Sequence, residues 1–337
     1  MVIYFPRTFS TSYNMINSVR KYYAQKGVDI QFVVSHPDKT SLTLFAADTA
    51  LIEPSYDPIQ NEAFYIETCK KYRVDLIIPG ETSLVFFKSN EQTFHDLGIK
   101  LLISGSTELL NILRSKVLTY QFFESNNIKV AVPKYRLVKS VEEFISACEY
   151  VSSEGSLACF KPDVSQGASG FRIVDNATQT YQLLNGFPSH RANLDHYIGL
   201  FNKVEKFPTL IVTEYLAQEE VTLDTLSFNK SCLFYFPRIK TDFNRIVRDN
   251  EIFKPLLTEF IEKSSIEYLF NLQLRYHHEI PYLLEVNPRY SGGSYLAEEN
   301  GYPMLASAID IAINGNIPNF PPLASFNFKL METYIKF

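Results

Sequence analysis

The chain has 337 residues, 46% hydrophobic and 20% charged, which suits an ordinary globular protein with two or three cores and excludes a disordered polymer. A net charge of −5 and a pI near 5.8 exclude a general electrostatic footprint for nucleic acid. No apolar stretch approaches the roughly 20 residues that span a bilayer, and Met1-Val-Ile-Tyr-Phe-Pro-Arg7 lacks the basic and long apolar segments of a signal peptide. The expectation is a cytoplasmic protein with neither nucleic-acid nor membrane partners. Cys69, Cys148, Cys159 and Cys232 lack CxxC spacing and read as buried reduced thiols.

The first 110 or so residues alternate strand and helix. Val2–Phe5 reads as a strand, 12–26 as a helix with apolar Tyr13, Ile16, Val19 and Tyr23 stopped by Gly27, and Ile30–Val34 as a second strand. A helix over 58–73, a strand at 75–78, a helix over 81–97 and a strand at 100–103 follow. Such alternation predicts an α/β unit with a parallel, doubly wound sheet. Its first turn, Pro6-Arg-Thr-Phe-Ser-Thr-Ser12, has no GxGxxG, so a dinucleotide site is not expected there. Arg7 and Glu81 fall at strand carboxyl ends, where open α/β sheets bind ligands, and are candidate substrate contacts as well as candidate ordinary loop residues.

Ser115-Lys116 opens an amphipathic helix through Phe122 and Phe123. The strand Leu157–Phe160 then delivers Lys161-Pro-Asp-Val-Ser-Gln-Gly-Ala-Ser-Gly170, followed by the strand Phe171–Val174. Ser165, Gly167, Ala168, Ser169 and Gly170 carry little side-chain bulk, so their backbone N–H groups can reach phosphate oxygens. This reads as a flexible phosphate flap, with a plain β-hairpin closed by a long Gly/Ser turn as the alternative, and differs from a Walker A loop, which needs GxxxxGK[ST]. The strand Thr209–Leu216 precedes Ala-Gln-Glu-Glu-Val-Thr-Leu-Asp224 and a further strand through Leu226.

Leu269–Arg275 and the run Tyr282–Leu284 read as strands joined by a turn near 276–279, and their antiparallel pairing brings Gln273 near Glu285. In Glu285-Val-Asn-Pro-Arg289 the oxygen ligands Glu285 and Asn287 and the cation Arg289 stand at every second position. Alternate side chains of a strand share a face, which points to a metal and phosphate site. Taken alone, the same residues also suit a strand ending in a Pro turn with a surface ion pair.

These segments, in this order, resemble the ATP-grasp superfamily, and Glu-x-Asn-Pro-Arg followed by Ser-Gly-Gly is similar to its carbamoyl-phosphate-synthetase-like, carboxylate–amine ligase branch. The resemblance implies an ATP-grasp fold, an α+β catalytic part preceded by a Rossmann-like α/β domain with a parallel sheet. Its expected boundaries are 1–110 for the pre-ATP-grasp domain, 111–215 for the central lid subdomain with the flap, and 216–337 for the C-terminal subdomain with the metal site. Pro79-Gly-Glu-Thr82 is similar to a Pro-x-x-Glu stretch of that first domain. The motif set occurs once, whereas a full carbamoyl-phosphate synthetase carries two. With 43 residues after Ser294, a counterpart of the sizeable C-terminal domain of biotin carboxylase is not expected, and Asn-Pro-Arg departs from the D-alanine ligase signature.

The resemblance also assigns residues. Lys116, Lys161, Ser165, Gly167, Ser169 and Gly170 would hold the ATP phosphates. Glu214, Tyr215 and Leu216 would meet adenine and Glu220 the ribose hydroxyls, although Gln218 stands where a Gly is common and Asp224 fits a Glu-x-x-x-Asp pattern of either ligand or structural use. Gln273, Glu285 and Asn287 would bind Mg²⁺, as one ion or two, with Mn²⁺ as a substitute. Arg289, Lys161 and Arg238 would be catalytic, with Arg245 and Arg248 as further candidates to stabilise negative charge. The implied activity is Mg·ATP-dependent phosphorylation of a substrate carboxylate and transfer of the acyl group to an amine, on amino acids or small peptides, in a chain that could form a homodimer. An ATP-binding protein without ligase activity and a small-molecule kinase are the alternatives.

Overall fold

The structure, a computed structural model, describes residues 1–165, 169–178, 190–241 and 244–329. It divides into two compact units, one formed by 1–111, 221–273 and 286–337, the other by 112–220 and 274–285.

The first unit opens on β1 (Val2–Pro6), whose Ile3, Tyr4 and Phe5 are wholly buried, as expected of a strand covered on both faces. With β2 (Gln31–His36), β3 (Thr49–Ile52), β4 (Leu76–Ile77) and β5 (Lys100–Leu101) it builds an all-parallel sheet in the order β3-β2-β1-β4-β5. The helix Ser12–Gln25 buries Met15, Ile16, Val19 and Tyr23 along one stripe. The predicted helix over 58–73 is a 3-10 turn, Pro58–Asn61, capped by the Asp57 carboxylate at Ile59 N–H, and then the helix Glu62–Tyr72, ended by Arg73 at φ 53°.

The predicted helix over 81–97 is broken into Leu84–Ser89 and Glu91–Asp96, because Asn90 turns its amide back onto the Phe86 carbonyl and leaves the helical path. The strand Thr49–Ile52 was not expected. It is a sheet edge with a half-buried, half-exposed alternation in place of a continuous apolar run.

In the second unit β6 (Tyr135–Val138), β7 (Ala158–Pro162), β8 (Arg172–Val174), β9 (Arg191–Ala192) and β10 (Leu210–Glu214) pair in the order β6-β10-β7-β8-β9, antiparallel except for β8 with β9. Phe144, Phe160, Tyr197 and Phe201 pack edge to face beneath it, with ring centroids 4.9–5.7 Å apart.

The remaining strands, β11 (Glu220–Phe228), β12 (Ser231–Lys240), β13 (Asn244–Val247), β14 (Tyr268–His277), β15 (Ile280–Asn287) and β16 (Phe326–Lys329), form a sheet in the order β15-β14-β11-β12-β13-β16. The β14–β15 turn is made by His278 and Glu279, both with positive φ, the backbone of a tight two-residue hairpin. Within the first unit, the helix Met304–Asn314 buries Met304, Leu305, Ala308 and Ile309 in one core with Leu226, Phe236 and Leu269, and ends on Gly315 at φ 70°. No helix among the described residues is long and apolar enough to cross a membrane.

Candidate functional site

In the second unit Lys161 stands at the end of the buried run Ala158-Cys159-Phe160, and its Nζ donates to Glu285 Oε2 at 3.3 Å. The two side chains are only 19% and 14% exposed, so this cation and carboxylate are fixed in a partly dry place.

Lys116, also predicted to approach phosphate, is 3% exposed, and its ammonium donates to the Asp163 carbonyl (3.0 Å) and to Ser165 O and Oγ (3.1 and 3.3 Å). It therefore braces the start of the small-residue loop. Asp163 completes that brace, since its carboxylate accepts from Ser115 Oγ at 2.7 Å and from Val117 N–H at 3.0 Å. Sequence reading missed Asp163. Its only signal was an acid directly after Lys161-Pro162.

Ser165 Oγ donates to the Pro162 carbonyl. Gly170 has φ +74°, and an added Cβ would lie 2.7 Å from Pro162 Cδ, so its glycine is required twice over. Ser169 is exposed, and Gly167 lies outside the described residues.

Beside Lys161 is a cavity open to solvent, walled by Cys159, Phe171, Tyr215, Leu216 and Arg275 among others. Its mainly apolar lining suits the face of a flat small-molecule group. Burial pushes the Cys159 thiol up to about 11, so it faces the cavity uncharged. The Tyr215 ring has the Arg191 and Arg275 guanidinium carbons 5.6 and 5.7 Å from its centroid.

The backbone here is held from several sides. Glu214 Oε1 accepts from Lys134 N–H, Tyr215 N–H donates to Leu157 O, and Arg275 Nε donates to Gln218 O. The last bond ties down the turn at Gln218. Glu220 begins β11 and is half-buried.

In the first unit the amides are organised by a residue the sequence reading passed over. Asn271 is fully buried, and its Oδ1 accepts from both Gln273 Nε2 (3.2 Å) and Asn287 Nδ2 (3.1 Å), while its Nδ2 donates to the Arg289 carbonyl. A side-chain amide that donates through nitrogen presents oxygen as its metal-ligating end. Glu285 and Asn287 stand at alternate positions of β15, as the spacing implied.

Arg289 does not continue that alternation. The strand ends at Asn287, Arg289 N–H donates to Asn287 O in a turn, and the guanidinium binds Glu81 Oε2 through Nε at 2.7 Å and Nη2 at 2.5 Å. Its carbon lies 4.9 Å over the Phe9 ring.

Arg238 on β12 is buried, binding Asp224 through Nε at 2.5 Å and Ser291 Oγ through Nη2 at 2.7 Å. Asp224 also accepts from Ser294 Oγ, so the Ser-Gly-Gly-Ser turn wraps this guanidinium. An added Cβ at Gly293 would lie 2.3 Å from Arg238 Nη1. Gly293→Ala is expected to cost about 1–3 kcal/mol by overpacking, read as a lower thermal midpoint, and to displace Arg238. Arg245 is spent on its own loop, at the Thr241 and Asn244 carbonyls.

Residues 206–332 match the model of a family described as ATP-grasp in the biosynthetic pathway with Ter operon. The whole chain is similar to N5-carboxyaminoimidazole ribonucleotide synthetase in its ADP complex, with 14% identity over 97% of this chain and 80% of that one and a TM-score of 0.69. It is similar to the N5-carboxyaminoimidazole synthetase of Staphylococcus aureus complexed with ADP (15% identity, 94% and 78% covered, TM-score 0.69). It is also similar to the biotin carboxylase of Campylobacter jejuni in a β,γ-ATP complex (15% identity, 94% and 72% covered, TM-score 0.67). At such identities the likeness is one of fold. The expected α/β architecture with its parallel first sheet is therefore a fold shared with these proteins, and its 206–332 portion matches the ATP-grasp family model.

Proposed function

We propose that the protein is an Mg·ATP-dependent ligase of the carbamoyl-phosphate-synthetase-like branch, which activates a substrate carboxylate as an acyl phosphate and joins it to an amine of amino-acid or small-peptide type. The reading rests above all on the partly buried Lys161–Glu285 pair at the end of β7, beside a mainly apolar cavity walled by Phe171, Tyr215 and Leu216. It takes 1–110, 111–215 and 216–337 as the functional divisions, a cytoplasmic location and small molecules as the partners.

Glu285, Asn287 and Gln273 supply one carboxylate and two amide oxygens, the hard donors Mg²⁺ takes, and Asn271 orients both amides for that use. When bound, Mg²⁺ supplies charge neutralisation at the phosphates. Tyr215 and Leu216 offer an apolar wall to adenine, and Glu220 can accept from both ribose hydroxyls. Lys161 brings a cation to the phosphates, Lys116 shapes the loop that follows it, and Ser165, Ser169 and Gly170 leave backbone N–H groups approachable. Arg289 and Arg238 are the guanidinium groups proposed to meet negative charge developing at the carbonyl. Glu81 and Asp224 orient them.

Hydroxylamine trapping tests the proposal. Protein, ATP, Mg²⁺ and pooled amino acids and small carboxylates are expected to give a hydroxamate together with substrate-stimulated ADP. ADP with a phosphorylated product and no hydroxamate would instead identify a kinase, and nucleotide binding without ADP release a silent ATP-binding protein.

A further inference from the structure

The first unit holds a buried guanidinium that the nucleotide chemistry leaves unused. Arg7 follows β1 directly, at the carboxyl edge of the parallel sheet, where open α/β sheets bind ligands. Its side chain is 7% exposed, yet Nε and Nη1 have no hydrogen-bond partner, and only Nη2 is used, at the Tyr56 carbonyl.

The nearest carboxylate, Glu53, stays 3.6 Å from Nε. Its oxygens already serve other donors, with Oε1 accepting from Ser35 Oγ at 2.7 Å and Oε2 from Tyr65 Oη at 2.9 Å and Asn61 Nδ2 at 3.1 Å. The next residue, Thr8, is 1% exposed, and its hydroxyl is also without a partner. Three of the four buried, unpartnered side-chain polar atoms among the described residues thus belong to two consecutive residues.

Buried polar groups are nearly always satisfied, so a cluster of orphans calls for a missing partner. Every orphan here can donate, and guanidinium nitrogens can do nothing else, so the missing partner is an acceptor. A guanidinium with a hydroxyl beside it complements an oxyanion. Arg7 is also held at φ 56°, a conformation costly to a residue with a Cβ, and its carbonyl is pressed on Gly80. Gly80 immediately precedes Glu81, the partner of Arg289, so the cluster is linked through one residue to a guanidinium of the proposed chemistry.

We infer that Arg7 and Thr8 form an anchoring subsite for an oxyanion of the small-molecule substrate, a carboxylate or phosphate other than the group that reacts. This rests on the ligase reading for the word substrate. The anion site itself can be tested without ATP or turnover.

Wild-type protein, Thr8→Val and Arg7→Lys are melted in rising inorganic phosphate and, separately, rising acetate, with chloride holding ionic strength constant. The expected result is a saturable rise in the thermal midpoint of wild type, weakened about tenfold in apparent affinity by Thr8→Val, as for one lost hydrogen bond, and abolished by Arg7→Lys. A response to phosphate alone identifies a phosphate subsite, to acetate alone a carboxylate subsite, and to both a general oxyanion anchor.

Thr8→Val without anion should melt at or above wild type, since its hydroxyl has no partner to lose; it decides the matter if Arg7→Lys does not fold. No saturable response in wild type, or an equal response in Thr8→Val, overturns the inference. Hydroxamate formation by wild type is scored in parallel. Anion binding without hydroxamate leaves the subsite standing and removes the ligase, and hydroxamate without anion binding does the reverse.

Discussion

Glu285→Gln is expected to lower kcat for ADP release by about 10²–10³-fold, the scale on which an electrostatic contributor to charge stabilisation is lost. The substitution preserves shape and one oxygen, so what it removes is charge. Two consequences follow from the position of this carboxylate. The Lys161 ammonium, 3.3 Å away and with its side chain only 19% exposed, loses its counter-charge and is left to be pulled wholly onto the phosphates or to reorient. The proposed ligand set of Gln273, Glu285 and Asn287 becomes three neutral amides, and a doubly charged cation is held less tightly without an anion in its shell.

Kinetics and binding then separate the roles. In the variant, the Mg²⁺ concentration needed for half-maximal thermal protection by ADP should rise at least about tenfold, the effect of roughly 1.4 kcal/mol. The unliganded midpoint should fall only by the equivalent of about 1 kcal/mol, because the ion pair is partly solvated. Turnover equal to wild type would sink the metal assignment. Unchanged Mg²⁺ dependence with lost turnover would move Glu285 from metal binding to the positioning of Lys161.

The residues whose positions in the fold were legible in the sequence are those set by local pattern. Lys161 ends an apolar run and precedes a chain of small residues, and Glu285 and Asn287 follow another apolar run at the strand period, so local pattern alone places them at strand ends. The first sheet was legible for the same reason, since its buried strands are short continuous apolar runs separated by amphipathic helices.

What escaped depends on partners distant along the chain. Asn271 gains meaning only from Asn287 and the Arg289 carbonyl, and Asp163 only from the helix opening at Lys116. Arg289 was placed on the face of Glu285 and Asn287 by extending the strand period through Pro288. Proline has no N–H for a ladder, the strand stops before it, and the guanidinium turns to Glu81. At Asn90 the apolar period runs on across the break, but one amide bonded to Phe86 interrupts the helix, an event periodicity cannot register.

Gly80→Ala is expected to be among the most destabilising single-atom additions in the molecule, costing about 3 kcal/mol or more and about 10 °C in the midpoint of a unit of this size. The reason is spatial. At φ −72° and ψ 161° any residue would be comfortable, so the backbone does not call for glycine. An added Cβ, however, would lie 1.9 Å from the Arg7 oxygen, 2.5 Å from the Arg7 carbonyl carbon and 2.9 Å from Thr8 N.

All three atoms are backbone, so no rotamer change relieves the contact, and both sides are tied. Gly80 N–H donates to Pro6 O, the Gly80 carbonyl accepts from Ser83 N–H and Oγ, and Arg7 N–H donates to Ser35 O. Relief must come from parting the segments that leave β1 and β4, which would also pull Arg7 from Glu53 and spoil the donor cluster at Arg7 and Thr8.

Gly199→Ala supplies the contrast. This glycine lies inside the helix Leu194–Phe201 with nothing within 4 Å of an added Cβ, so alanine there should raise stability by about 0.5–1 kcal/mol through helix propensity. Thermal melts of the two variants against wild type are the measurement. If Gly80→Ala melts with wild type, the close passage of the Arg7 carbonyl over Gly80 is not how the carboxyl edge of this sheet is built, and the donor cluster beside it must be redrawn.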